Sequence, residues 1–257
     1  MGDRFQIQLS SKEILITAAL LGYESVFGVD DGWLFGKNVD MKSIVRQQVR
    51  RLERKKLIRY DLDGVLYIVP ELRKSIDCIC KAESVGLFST NLKSGKRTSV
   101  YVMEKENMVV TLERLSDGKY VMQLAESLPL EEIIPQEILS SQYQEMKEML
   151  LLEEAEYVHK QIEEFNHDDA KMRIQKHVND SDAGKMIETI LSGSCRYMNV
   201  QIYRKKKELY NAIYNTLLVN VDNCMVKLSA DENRVLCFES IPPVNVMEQI
   251  RRQFKVI

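Results

Sequence analysis

The sequence predicts an α+β fold whose core is a pseudo-twofold, duplicated antiparallel β-sheet, flanked by an N-terminal winged-helix-like lobe and a central helical lobe. Three observations carry the prediction. Residues 98–126 and the stretch beyond about Cys195 alternate apolar and polar side chains with period two. The segment between them, about 141–192, has helical periodicity. A junction of strand, proline and helix also occurs twice, as "QLAESLPLEEII" at 123–134 and "LCFESIPPVNVM" at 236–247.

From the N-terminus, "SSKEILITAALLG" (10–22) reads as a capped helix, with Ser10 or Ser11 accepting from free amides of the first turn and Gly22 suiting a left-handed exit. A Gly/Asp-rich connection holding Trp33 leads to a second helix over about 41–56. "LIRYDLDGVLYIV" reads as a hairpin turning at Asp63-Gly64, and Pro70 opens a third helix reaching about Ala82. Three strands follow, "SVYVMEK", "NMVVTLERL" and "KYVMQLAE", then a short helix over 130–138. In the helical segment Leu151, Ala155, Val158, Ile162 and Phe165 form an apolar stripe, and "NHDD" and "NDSDAG" separate its helices. Four further strands, "RYMNVQIYR", "LYNAIYNTLLVNV", "CMVKLS" and "RVLCFES", precede a last helix near 243–254. The expected parts are 1–96, 97–138, 139–193 and 194–257, joined as one unit. Aligned without a gap, 112–134 and 225–247 agree at Leu115/Leu228, Ser116/Ser229, Glu126/Glu239, Ser127/Ser240 and Pro129/Pro242. The spacing is too long for a solenoid.

With 257 residues, 45% apolar and 29% charged, the composition is that of an ordinary globular protein, and a net charge of −2 gives no global pull toward polyanions. No apolar run is long enough to cross a bilayer, and no signal peptide is expected. Five scattered cysteines without a CxxC pair predict reduced thiols and a cytoplasmic setting. The catalytic inventory is thin. His159, His167 and His177 never fall at the i, i+4 spacing that aims two imidazoles at one metal. "DAGKM" lacks the leading glycine and the Ser or Thr of a phosphate loop, and "LSGSCRY" lacks a nucleophile elbow. The expectation is a non-enzyme without cofactor or metal.

Charge is unevenly distributed. Residues 42–59 hold eight Lys and Arg against Glu53, with Arg46, Arg50 and Arg54 on one helical stripe. Helix, helix, hairpin is the order of a winged helix, so one reading is a DNA-binding regulator using these three arginines, although Asp61 and Asp63 on the wing would repel phosphates. From Glu126 to Asp169, thirteen acidic residues face only Lys147 and Lys160. Methionines cluster in and around the helical segment, and methionine is over-used on adaptable binding surfaces.

The order of elements resembles the EspG-type chaperones of type VII secretion. The resemblance rests on "IQLSSKEILITAALLGYESV", on "RRLERKKLIRYDLDGVLYIVPELRKSIDCI" and on the two runs ending in "AESLPLEEII" and "CFESIPPVNVMEQI". It implies a pseudo-twofold α+β unit with a helical subdomain. It also implies a cytosolic chaperone or adaptor that grips the tip of a secreted helical-hairpin client, without membrane insertion. Partner-binding residues expected on this reading are Met146, Met149 and Met172 in the helical lobe and Tyr101, Met103 and Met122 on the sheet.

Overall fold

The computed structural model describes residues 5–35, 40–91, 97–207 and 209–254. Strand β1 (Gln6–Ser10) runs directly into helix α1 (Ser11–Leu20). The junction is a capping box: the Ser10 hydroxyl accepts from the Glu13 amide at 3.2 Å, and the Glu13 carboxylate accepts from the Ser10 amide at 2.7 Å. Glu13 is buried, and its charge is met by Lys55 at 2.7 Å. Helix α2 (Met41–Arg54) is capped by Asp40, whose carboxylate accepts from the Ser43 amide. The hairpin β2 (Ile58–Tyr60) and β3 (Leu66–Ile68) follows, and Pro70 opens helix α3 (Pro70–Cys80).

Strands β4 (Ser84–Asn91), β5 (Arg97–Lys105), β6 (Met108–Arg114) and β7 (Lys119–Ala125) come next. The helix expected over 130–138 is two short ones, α4 (Leu130–Ile133) and α5 (Gln136–Leu139). Pro135 divides them: it disfavours helical backbone at Ile134, whose ψ is 125°. The chain continues with β8 (Lys147–Leu151), α6 (Leu152–Glu163), α7 (His167–Gln175), α8 (Ser181–Leu191), β9 (Arg196–Lys206), β10 (Leu209–Val221), β11 (Cys224–Ala230), β12 (Val235–Ser240) and α9 (Pro243–Phe254).

Three strands were not expected from sequence. β1, QIQLS, does alternate but is only five residues long, β4 lies in a stretch without clear alternation, and β8 replaces the start of the helical segment. "KEMLL" is made of helix formers, but Leu150 is buried and the segment pairs with β12 from Val235↔Leu151 to Glu239↔Lys147. Tertiary pairing overrides local propensity here. The apolar stripe is correspondingly shorter. Ala155 and Val158 are buried, whereas Leu151 ends a strand and Phe165 stands exposed at φ 61°.

By connectivity, one plan occurs twice. Strands β1 and β4 to β7 have the spatial order β1-β7-β6-β5-β4, and strands β8 to β12 the order β8-β12-β11-β10-β9, while the β2–β3 hairpin forms a sheet of its own. In each run the first strand pairs antiparallel with the last and leads straight into a helix. The gapless sequence match does not follow this correspondence. The β6–β7 turn closes through Leu115 N–H to Lys119 and Gly118 N–H to Leu115, and the β11–β12 turn through Asp231 N–H to Val235 and Arg234 N–H to Asp231. These turns are offset by 116 residues (231 − 115), against 113 (239 − 126) for the Glu-Ser-x-Pro match. Glu126 and Ser127 therefore lie beyond β7, while Glu239 and Ser240 still pair within β12.

Two compact units are formed: Met1–Gly86, Thr98–Leu128 and Tyr203–Asn211 in the first, and Leu87–Arg97, Pro129–Ile202 and Ala212–Ile257 in the second. The first has its own core, with Leu9, Ile14, Leu52, Leu72, Ile76 and Tyr120 among its side chains. The second is built round Leu150, Val158, Ile174, Ile187, Val226 and Phe238. Each fully buried aliphatic side chain contributes about 1.5–3 kcal/mol.

Candidate functional site

In the second unit, strand pleating places alternate side chains on one face of the sheet. The pairs Val219↔Val226, Leu217↔Leu228 and Ala230↔Leu236 all lie on the face that packs under the helices of that unit. Toward Val219, Val226 and Phe238 this face is fully buried. Toward the other end it opens. Leu217, Leu228 and Leu236 are half-buried, and Asn215 and Ala230 are exposed. With Tyr197 and Asn199 from β9 they line an open cavity of about 350 Å³.

Its chemistry is that of a binding surface. The floor is leucine, and the rim carries the neutral hydrogen-bonding groups of Asn199, Asn215, Ser229 and Tyr197. None of the lining residues is a carboxylate, an amine, a guanidinium, an imidazole or a thiol. Such a cavity takes up apolar side chains, and its amides can bond a partner's backbone.

The ionisable groups with displaced acidities lie elsewhere. In the first unit the Asp77 carboxylate accepts from the Tyr23 hydroxyl and pairs with Lys105 at 2.5 Å and Lys81 at 2.9 Å. Burial acts to raise its pKa, but Lys105, Tyr23 and Lys81 together hold it well below the usual carboxylate range. Desolvation pushes the Cys78 and Cys80 thiols up to about 12, the opposite of what a nucleophile needs. His159 contacts the Leu191 carbonyl at 2.7 Å and His167 lies 3.7 Å from Glu188. No group of three or more His, Cys, Asp or Glu among the described residues could hold a metal ion.

The residues expected from sequence to bind a partner are not brought together. Met103 and Met122 are fully buried in the core of the first unit, and Met146 is buried in that of the second. Alternation predicts which residues share a face but not which face is covered, so core methionines were read as surface ones. Tyr101 is half-buried, with Phe27 edge-on at 6.1 Å between ring centres. Met149 (61% exposed) and Met172 (56%) are on the surface, and neither lines the cavity. Met149 lies on the opposite sheet face from Leu150, which belongs to the core beneath the helices. Arg46, Arg50 and Arg54 are all exposed on α2. The cavity leucines were missed because "LLVNV" and "CMVKLS" read simply as core strands.

No family model matches the chain, and no curated protein matches it in sequence. Its fold does match a solved one. The chain is similar to the type VII secretion system chaperone EspG5 of Mycobacterium tuberculosis, whose structure was determined in complex with a PE25–PPE41 dimer. The TM-score is 0.63 at 10% sequence identity, over 97% of this chain and 94% of that one. The two share a fold. No helix among the described residues is long and apolar enough to cross a membrane.

Proposed function

We propose that this protein is a non-enzymatic, cytosolic chaperone or adaptor that holds the apolar tip of a secreted helical client for a type VII-like secretion system. The observation that carries the reading is the half-open leucine floor of β10–β12, rimmed by neutral polar groups and free of side chains charged at neutral pH. Support comes from the fold it shares along nearly its whole length with a secretion chaperone. In this reading Leu217, Leu228 and Leu236 cover apolar side chains that would otherwise drive aggregation of the client, while Asn199 and Asn215 bond its exposed backbone. A helix-in-groove mode would present apolar anchors at i, i+3 and i+4. Of the methionines, Met172 is left as a surface position that an enveloping client could also touch, whereas Met149 is on the sheet face opposite Leu150 and does not line the cavity. The two runs of matching strand order, the first with the β2–β3 hairpin in addition, are taken as copies of one ancestral unit.

The test is co-expression with helical-hairpin proteins encoded in the same genome, followed by size-exclusion chromatography of the complexes. A client should become soluble only with the chaperone. Asn215→Arg, at an exposed rim position, and Leu228→Asp should each weaken the complex at least tenfold, whereas Met149→Asp should leave it intact. Retention of the complex by both rim and floor variants would remove the cavity from the mechanism.

A further inference from the structure

In the first unit, helix α2 and the β2–β3 hairpin that follows it after three residues expose basic and apolar side chains close together in the chain. Arg46, Arg50 and Arg54 recur every fourth residue over two turns, so their guanidinium groups form one stripe with about 6 Å of axial rise between neighbours. All three are exposed, and none makes an ion pair among the described residues. Nearby acids are committed elsewhere or stand apart. Glu13 is taken by Lys55, and Glu53, the one acid of the helix, pairs with none of the three. Leaving several arginines unpaired on one face is what a surface kept for an anionic partner looks like.

The hairpin adds an apolar component. Leu62 at its tip is fully exposed, Val65 beside it is 61% exposed, and Tyr67 carries the Arg59 guanidinium at 4.5 Å from its ring centre. Asp61 is a structural acid: its carboxylate accepts from the amides of Asp63 and Val65 and so fixes the turn that displays Leu62. Asp63 is exposed beside the tip.

These features separate the kinds of anionic partner. A phosphate-rich surface, whether duplex DNA or an anionic bilayer, would meet the arginines but would be repelled by Asp61 and Asp63 at the apolar tip. A protein helix meets both demands, because carboxylates four residues apart repeat at the same ~6 Å and its apolar side chains can cover Leu62 and Val65. We propose that α2 and the β2–β3 tip form a docking site for an acidic amphipathic helix of a protein partner, used separately from the leucine cavity.

The experiment uses the full chain and a fluorescent synthetic helix with glutamates at every fourth position and leucines beside them. Controls are the same composition scrambled round the helix, a 20-base-pair duplex and phosphatidylserine-containing vesicles. Anisotropy at two salt concentrations should show binding of the ordered peptide at least tenfold tighter than the scrambled one. Arg50→Glu and Leu62→Asp should each weaken it at least tenfold. Both positions are exposed, so circular dichroism should be unchanged. Three results would overturn the proposal: no preference for the ordered peptide, loss with R50E but not with L62D, or tighter binding to duplex or vesicles than to the peptide.

Discussion

Removing the Asp77 charge should cost the first unit measurable stability. Asp77 sits near the end of α3, and its carboxylate gathers the Tyr23 hydroxyl from the segment after α1 and Lys105 from the end of β5. Its side chain is 24% exposed and that of Lys105 18%. Asp77→Asn keeps the shape and loses the charge. A charge-assisted hydrogen bond contributes about 1.5–3 kcal/mol and a neutral one about 1. With solvent screening placing Lys105 at the low end, the expected loss is about 2–3 kcal/mol. For a protein of this size each kcal/mol moves Tm by about 2–4 °C, giving ~4–12 °C in a thermal melt followed by near-UV circular dichroism. The pH dependence gives the sign. A carboxyl depressed in the folded state contributes fully above its unfolded pKa near 4, and the contribution fades as pH falls toward the folded value. The gap between wild type and D77N should therefore be constant from pH 7 to about 5 and close below about 4. A gap under 1 °C at pH 7, or one that persists undiminished at pH 3, would refute the reasoning.

Gly28→Ala should destabilise the protein by about 1–3 kcal/mol in urea denaturation, because φ is +74° and an added Cβ would lie 3.0 Å from the Tyr101 ring; the Tyr101 fluorescence environment should shift with it. Phe238→Ala should cost about 3–5 kcal/mol, since the ring is fully buried in the core of the second unit; urea unfolding monitored by near-UV circular dichroism reads the loss. In the folded protein Cys78 and Cys80 should resist iodoacetamide at pH 8, with peptide mass spectrometry showing modification at the rate of unfolding, because burial keeps both thiols protonated.

How far the sequence discloses this fold depends on where the controlling interaction lies. The hairpins were legible because their turns are local. Asp61 and Asp231 each accept from amides two and four residues on, and the fourth turn residue, Gly64 or Arg234, takes positive φ. The capping box of Ser10 and Glu13 is local as well. The outer strand β8 was not legible, because KEMLL is a strand only through pairing with β12 far along the chain, whereas β1 alternates as QIQLS but is too short to stand out beside the helix it runs into. The repeated junction was visible but misaligned, since its Glu-Ser-x-Pro matches fall at different depths beyond the two hairpins.

The cavity is the least legible feature of all, because alternation along a strand does not say how far the sheet's cover extends. The part of β10 in the second unit, 212–221, spans about 33 Å at ~3.3 Å per residue. The pleat continues its apolar positions, Leu217 on β10 and Leu228 on β11, from the closed core at Val219 and Val226 into the half-buried end of the sheet. A strand pattern carries no mark for where its cover stops, so Leu217 and Val219 look alike in sequence. One becomes half-open floor and the other closed core. Lengthening the cover should then close the site. A variant helical lobe that buries Leu217 and Leu228 would gain stability from the added apolar contact while losing the client, the trade expected where function uses apolar surface left unburied.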